Sequence, residues 1–319
     1  MRGPTQPPGH RLLPLKGIRV LELSGLAPVP HCGMVLADFG ADVTVLEKAE
    51  EVVDQRLIRG KKKVQVDLKS KDDVQKVKEM CKSSDVLLDP YRPGILEKLG
   101  LDPIHLLELN PSLIVCRLTG YGQSGTLSQE AGHDINYTAI SGVLPTLNGN
   151  RSIAPWPPVN LLADFAGGGL TAAFGVVAAL FQRTTNGGKG SIIDCSMVEG
   201  LAYLSTFLTM YKDIDYLFKV PYAAFNSESP IYRCYETKDG KYMSVGCLEP
   251  KFTMNMIDVL GIDYDLSDVH QKPAEVVDAL EKIFKTKTRD EWTQVFTGKD
   301  ACVMPVLDMD EVGDYPHHK

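Results

Sequence analysis

The sequence predicts an α/β protein: a large domain built on an open, Rossmann-like parallel sheet, followed by a small α+β domain. Three observations lead there. Short strand-like runs alternate with helical stretches through the N-terminal part of the chain. A long apolar helix is expected over residues 161–182. Beyond residue 226 the texture changes to a hairpin around Asp239-Gly240, followed by amphipathic helices.

The elements follow in order. Ile18 to Leu23 reads as a buried strand, a turn with Pro28 and Pro30 follows, and a helix is expected over 31–39 until Gly40 stops it. A strand over 42–47 completes a strand–helix–strand unit, the seed of a parallel sheet. The pattern repeats with a strand over 64–68 and a helix from a Ser70 cap to about Lys82. Strands over 86–88, 113–118 and 191–195 extend the sheet. The helix over 161–182 is nearly long enough to span a membrane. Asp164 and Gly167 to Gly169 in its first turns, and the strand just after it, make it a core helix instead. Downstream, a hairpin over 231–246 precedes helices over 251–260, 273–285 and 289–296 and a last strand over 301–307. The expected division is a disordered lead-in (1–14), a large domain (15–205), a linker (206–225), a small domain (226–312) and a short tail (313–319).

Composition narrows the function. With 44% hydrophobic and 24% charged residues the chain is ordinary globular material. A net charge of -7 argues against a nucleic-acid partner. Basic residues nevertheless cluster at Arg59, Lys61, Lys62 and Lys63, with Lys69 and Lys71 just beyond; that is either a solvated loop or a patch for a phosphorylated ligand. The seven cysteines are scattered and form no CxxC pair, which fits a reducing compartment and no metal site. No secretory signal, strong mitochondrial presequence or peroxisomal tripeptide is visible.

Two polar islands stand out. One is Gly132-His133-Asp134-Ile135-Asn136-Tyr137; the other is Asp164, opening the long apolar helix where a charge is costly without a partner or a task. A histidine alone is more often structural, and an aspartate in a first helical turn is often only a dipole partner. Glu249, before Pro250, would by itself only end a strand. Together they form an acid/base set without a metal. Gly120-Tyr121-Gly122-Gln123-Ser124-Gly125 matches the dinucleotide pattern G-x-G-x-x-G, yet no helix is expected after it, so it reads as a glycine-rich loop shaping a pocket.

These residues, in this order, resemble the class III CoA-transferase family, in its racemase branch acting on α-methylacyl-CoA thioesters. Further matching pieces are Glu22 to Pro28, Val35 to Ala41, Asn160 to Gly169, Met197 to Gly200 and Asp300 to Val303. The resemblance implies that His133 and Asp164 are the two bases that invert the α-carbon of a 2-methylacyl-CoA through an enolate. It implies that Glu249 supports the histidine, and that Asp134 supports Asp164. The start of the Asp164 helix would lend amide dipole to the enolate oxygen. Lys48, Val66, Asp67, Leu68, Lys69, Arg92, Gly132, Ile135, Asn136 and Tyr137 would bind the CoA thioester, with the lysine cluster attracting its phosphates. CoA is part of the substrate, and no other cofactor is implied. An interlocked homodimer in a peroxisome or mitochondrion is implied as well. The alternatives are a transferase using Asp164 as nucleophile, or an impaired paralogue. Two departures motivate the last: the family continues past the position of Lys319, and Asn226-Ser227-Glu228-Ser229-Pro230 replaces its usual Asp-Gly-Gly-Ala-Pro.

Overall fold

A computed structural model describes residues 13–48, 55–147, 149 and 154–318. The expected lead-in therefore lies mostly outside the described residues. The chain divides into two units, the described residues of Met1–Leu144 with Trp156–Phe207, and of Pro145–Pro155 with Leu208–Lys319.

The first unit holds six parallel strands: β1 (Arg19–Leu23), β2 (Asp42–Glu47), β3 (Lys61–Gln65), β4 (Val86–Asp89), β5 (Ile114–Thr119) and β6 (Ser191–Ser196). Their order is β3-β2-β1-β4-β5-β6. Chain order reverses between β1 and β4, and in open α/β sheets a crevice forms at the carboxyl ends of the strands at such a switch point. β4 and β5 are buried along their whole length, as their near-continuous apolar sequence requires.

Helix α1 (Pro28–Asp38) begins at the prolines expected to form a turn. Proline suits a first helical turn, where its missing N–H has no partner to lose. Helix α2 (Lys71–Lys82) starts at the Ser70 cap, whose hydroxyl accepts from the Asp73 amide. Short helices α3 (Ile95–Lys98), α4 (Pro103–Leu109), α5 (Asp134–Ile140) and α6 (Val143–Leu147) follow. The long apolar helix is two structures: a π-helix over Leu161–Leu170, then α7 (Thr171–Thr185). By length and composition Leu161–Thr185 would suffice to cross a membrane. Here α7 packs on β5 and β6, and the π-helix packs on α1 and on α8 (Met197–Leu204). Glycine permits that approach: a first side-chain carbon at Gly200 would stand 1.9 Å from the Gly167 carbonyl oxygen.

β3 corrects the expected strand over 64–68, because it begins three residues earlier, inside the lysine cluster. Lys62 pairs with Asp42 at 2.8 Å and Lys63 with Glu47 at 3.2 Å, both across the β2–β3 ladder. Arg59 pairs with Asp38 at 2.5 Å. The Lys61 side chain is fully buried, and its ammonium reaches Glu22 Oε2 at 2.7 Å, Glu22 Oε1 at 2.9 Å and the Pro30 carbonyl at 2.7 Å. Lys61 is thus committed to a buried pair, and Arg59, Lys62 and Lys63 each hold a carboxylate at the surface.

The second unit is an antiparallel sheet, β7 (Tyr232–Glu236), β8 (Tyr242–Gly246) and β9 (Val303–Pro305), in that order. Gly240 takes the positive φ of 71° that the hairpin turn needs. Residues 206–225, expected as linker, contain the helices α9 (Thr206–Tyr211) and α10 (Asp215–Phe218). Helices α11 (Pro250–Leu260), α12 (Leu266–Gln271), α13 (Pro273–Phe284) and α14 (Arg289–Phe296) complete the unit. Its core centres on Tyr235, Phe284 and Trp292, with the indole N–H donating to the Phe284 carbonyl at 2.8 Å. The departure at Asn226–Pro230 is a closed hydrogen-bonded turn. The buried Asn226 amide donates to Glu228 Oε2 at 2.9 Å, and its Oδ1 accepts from the Glu228 amide at 3.0 Å. Ser227 takes a φ of 66°, the left-handed region a glycine would occupy without strain.

Candidate active site

The loops leaving β1, β4 and β5 at the switch point enclose a cavity of about 310 Å³. Ser24 to Leu26 come from β1, Pro90 to Arg92 from β4, and Thr119 to Tyr121 from β5. His133, Tyr137, Asp164 and Met197 close it from the helical side. The structure therefore brings both sequence-predicted bases to one cavity.

Asp164 rides on the π-helix and is 9% exposed. Its carboxyl pKa is raised to about 6, first by burial and then by the nearby Asp134 carboxylate, with His133 working against both. Asp134, fully buried, does not bond the Asp164 side chain. Its Oδ2 accepts from the amides of Ala163 at 2.8 Å and Asp164 at 2.9 Å, and its Oδ1 accepts from the Thr138 hydroxyl at 3.2 Å. Those two amides are committed to Asp134. Removing the negative charge at Asp134 makes Asp164 easier to ionise. Asp134→Asn is therefore expected to lower the Asp164 pKa from about 6 and to destabilise the fold by roughly 1–2 kcal/mol through weakened charged hydrogen bonds. Carbon-13 NMR titration of the aspartate carboxyls and urea denaturation check both effects.

The glycine-rich loop after β5 has a packing role. Tyr137 lies so close over Gly120 that a first side-chain carbon there would stand 2.1 Å from the ring. The Tyr137 hydroxyl donates to the Gly132 carbonyl at 2.5 Å, and its ring meets Tyr121 edge-on at 5.0 Å. His133 stands at the N-cap of α5, exposed, with its amide donating to Asn136 Oδ1 at 3.0 Å. Ile135 and Asn136 are exposed on α5.

The remaining predicted residues are spread more widely. Lys48 is exposed after β2. Val66 is buried, Asp67 and Leu68 are half-buried and Lys69 is exposed, in a turn where Asp67 Oδ1 accepts from the Lys69 amide at 3.0 Å. None of these five lines the cavity. Arg92 does line it, and donates to the Gln129 carbonyl at 3.0 Å. Glu249 belongs to the second unit, exposed at the N-cap of α11. Sequence reasoning did not single out Ser24, Thr119 and Met197 as lining residues; their positions just after β1, at the end of β5 and just after β6 were the available signal.

The chain is similar to several known proteins. The model of CoA-transferase family III matches residues 15–319. A CaiB/BaiF CoA-transferase family protein of Caenorhabditis elegans is 56% identical over 95% of this chain and 89% of its own length. Human alpha-methylacyl-CoA racemase is 46% identical over 96% of this chain and 81% of its own. A crystal structure of a CaiB/BaiF family protein from Brucella suis superposes with a TM-score of 0.81 at 25% identity, covering 96% of this chain and 87% of that one.

Proposed function

The chain belongs to CoA-transferase family III, and on that premise we propose that it epimerises 2-methyl-branched acyl-CoA thioesters at the α-carbon. The similarity to alpha-methylacyl-CoA racemase supports this reading. The observation that carries it is the presence of His133 and Asp164 on one cavity at the switch point. One group removes the α-proton, the thioester carbonyl takes up the charge as an enolate, and the other group delivers a proton to the opposite face. A carboxyl with a pKa near 6 is suited to this, because it is available both as base and as conjugate acid close to neutrality.

The pH dependence follows from that value. For the epimer whose α-proton Asp164 accepts, kcat/KM is expected to rise with pH and reach half its plateau near pH 6. For the opposite epimer Asp164 must start protonated, so the rate falls as pH rises through the same region. Rate profiles of the two purified epimers check this.

Solvent deuterium uptake at the α-carbon, followed together with the epimer ratio, tests the reading. Exchange with epimerisation, the latter lost in His133→Ala and in Asp164→Ala, is the expected result. CoA transfer to an added free acid without exchange would replace it by the transferase reading, with Asp164 as nucleophile.

The same reading includes a homodimer in which Glu249 of the partner subunit supports His133. An exposed apolar stripe on and just before α7 supports self-association: Leu170 is 43%, Phe174 73%, Val177 43% and Phe181 73% exposed. Analytical ultracentrifugation is expected to show a dimer.

A further inference from the structure

Asp164 sits on ten residues of π-helix, a register that needs support. A π turn widens the helix and pairs each carbonyl with the N–H five residues on rather than four. The Ala166 carbonyl accepts in this way from the Thr171 amide, and from the Thr171 hydroxyl as well at 2.9 Å. The carbonyl of Phe165, the residue after Asp164, faces the imidazole of His31 from α1. The His31 ring also lies against the Phe165 ring, with centroids 4.8 Å apart at 55°. Its Nδ1 presses on Gly169, where a first side-chain carbon would stand 2.5 Å away.

This buried Nδ1 has no hydrogen-bond partner among the described residues. An orphaned buried nitrogen costs stability that an apolar side chain of similar size would not, so its presence calls for an explanation. Burial holds the ring's pKa below the ordinary histidine value; the Phe165 carbonyl pulls the other way and the Lys61 ammonium adds to the lowering. The ring is therefore neutral at physiological pH.

We propose that His31 is a positioning residue for Asp164: carried on α1 and seated against the π turn, it fixes the Phe165 ring and the Phe165–Ala166 peptide and so aims the Asp164 carboxyl into the cavity. It lies outside the cavity lining and acts only through Phe165 and the π-helix backbone. The kinetic consequence rests on the racemase reading; the effect on Asp164 itself does not.

The test compares the native chain with His31→Leu, which keeps bulk but has no ring nitrogen, and His31→Gln, which keeps a donor. Thermal melts confirm that each variant is folded, and carbon-13 NMR follows the titration of the Asp164 carboxyl. In folded His31→Leu the carboxyl swings toward water, and its pKa is expected to fall from about 6 toward the ordinary carboxylate value. Epimerisation kcat is expected to fall about tenfold or more with KM within about twofold, since a small misplacement of a reacting group is costly while binding is untouched. His31→Gln is expected to restore most of both. Unchanged Asp164 titration and kcat in a folded His31→Leu would overturn the proposal. So would a His31→Gln no closer to the native chain than His31→Leu. If the native chain shows no epimerisation but the titration responds as expected, the racemase reading fails and the positioning role stands.

Discussion

Asp164→Asn is expected to yield a more stable protein that no longer epimerises its substrate. The Asp164 carboxyl titrates near 6 in the fold against an ordinary 3.8, because burial and Asp134 disfavour its charge. Between those values the folded chain holds a proton that the unfolded chain has lost. Stability therefore declines as pH rises through this window, and at neutral pH the whole penalty is present. A neutral asparagine of the same shape removes it, a gain of roughly 1–3 kcal/mol at pH 7 that shrinks toward zero at about pH 4. Epimerisation should fall by about a thousandfold, the usual order for loss of a positioned acid/base group. Urea denaturation at pH 4 and pH 7, run beside the epimerisation assay, reads both effects. A variant that is less stable at pH 7 would contradict the electrostatic account of this site.

Lys61→Met is expected to cost about 3–5 kcal/mol, the usual loss when one partner of a buried ion pair is removed. Glu22 on β1 and Lys61 on β3 meet across β2, with side chains 1% and 0% exposed. Burial already raises the Glu22 carboxyl to about 7 even with the ammonium beside it, and burial lowers Lys61. Without the lysine the carboxylate is stranded beside Gly33, where a first side-chain carbon would stand 1.7 Å from Glu22 Oε2. A carboxyl raised in the fold stabilises least at high pH, so the deficit should be larger at pH 8 than at pH 5. Adding Glu22→Leu to Lys61→Met replaces the pair with apolar packing and should recover most of the loss. A single variant as stable as the native chain would show that the pair is not needed where it sits, and a double variant as damaged as the single would show that a stranded carboxylate is not the source of the loss.

The contrast between these two sites shows what could be read from residues alone. The sheet was legible because local signals agree: Ser70 caps α2, and β4 and β5 are mostly apolar runs. His133 and Asp164 were legible as polar residues in apolar surroundings. Lys61 was not, because its partner lies 39 residues away and a lysine-rich edge strand looks like a solvated loop until that partner is seen. The π-helix was not legible either. Its apolar sequence fits an α-helix equally well, and the register is decided by backbone packing on α1 and α8 through Gly167 to Gly169. Helix α12 was missed although Asp265 and Asp268 form a reciprocal cap at its start.

The central claim is that His133 and Asp164 serve opposite faces of one α-carbon. It is tested most directly by exchange without inversion. Each purified epimer of a 2-methylacyl-CoA is incubated in deuterium oxide with His133→Ala or with Asp164→Ala, and label and configuration are followed together. The account predicts that neither variant inverts configuration, that each still labels one epimer, and that the two variants label opposite epimers. If both variants label the same epimer, or if either still inverts it, the two-base assignment is wrong.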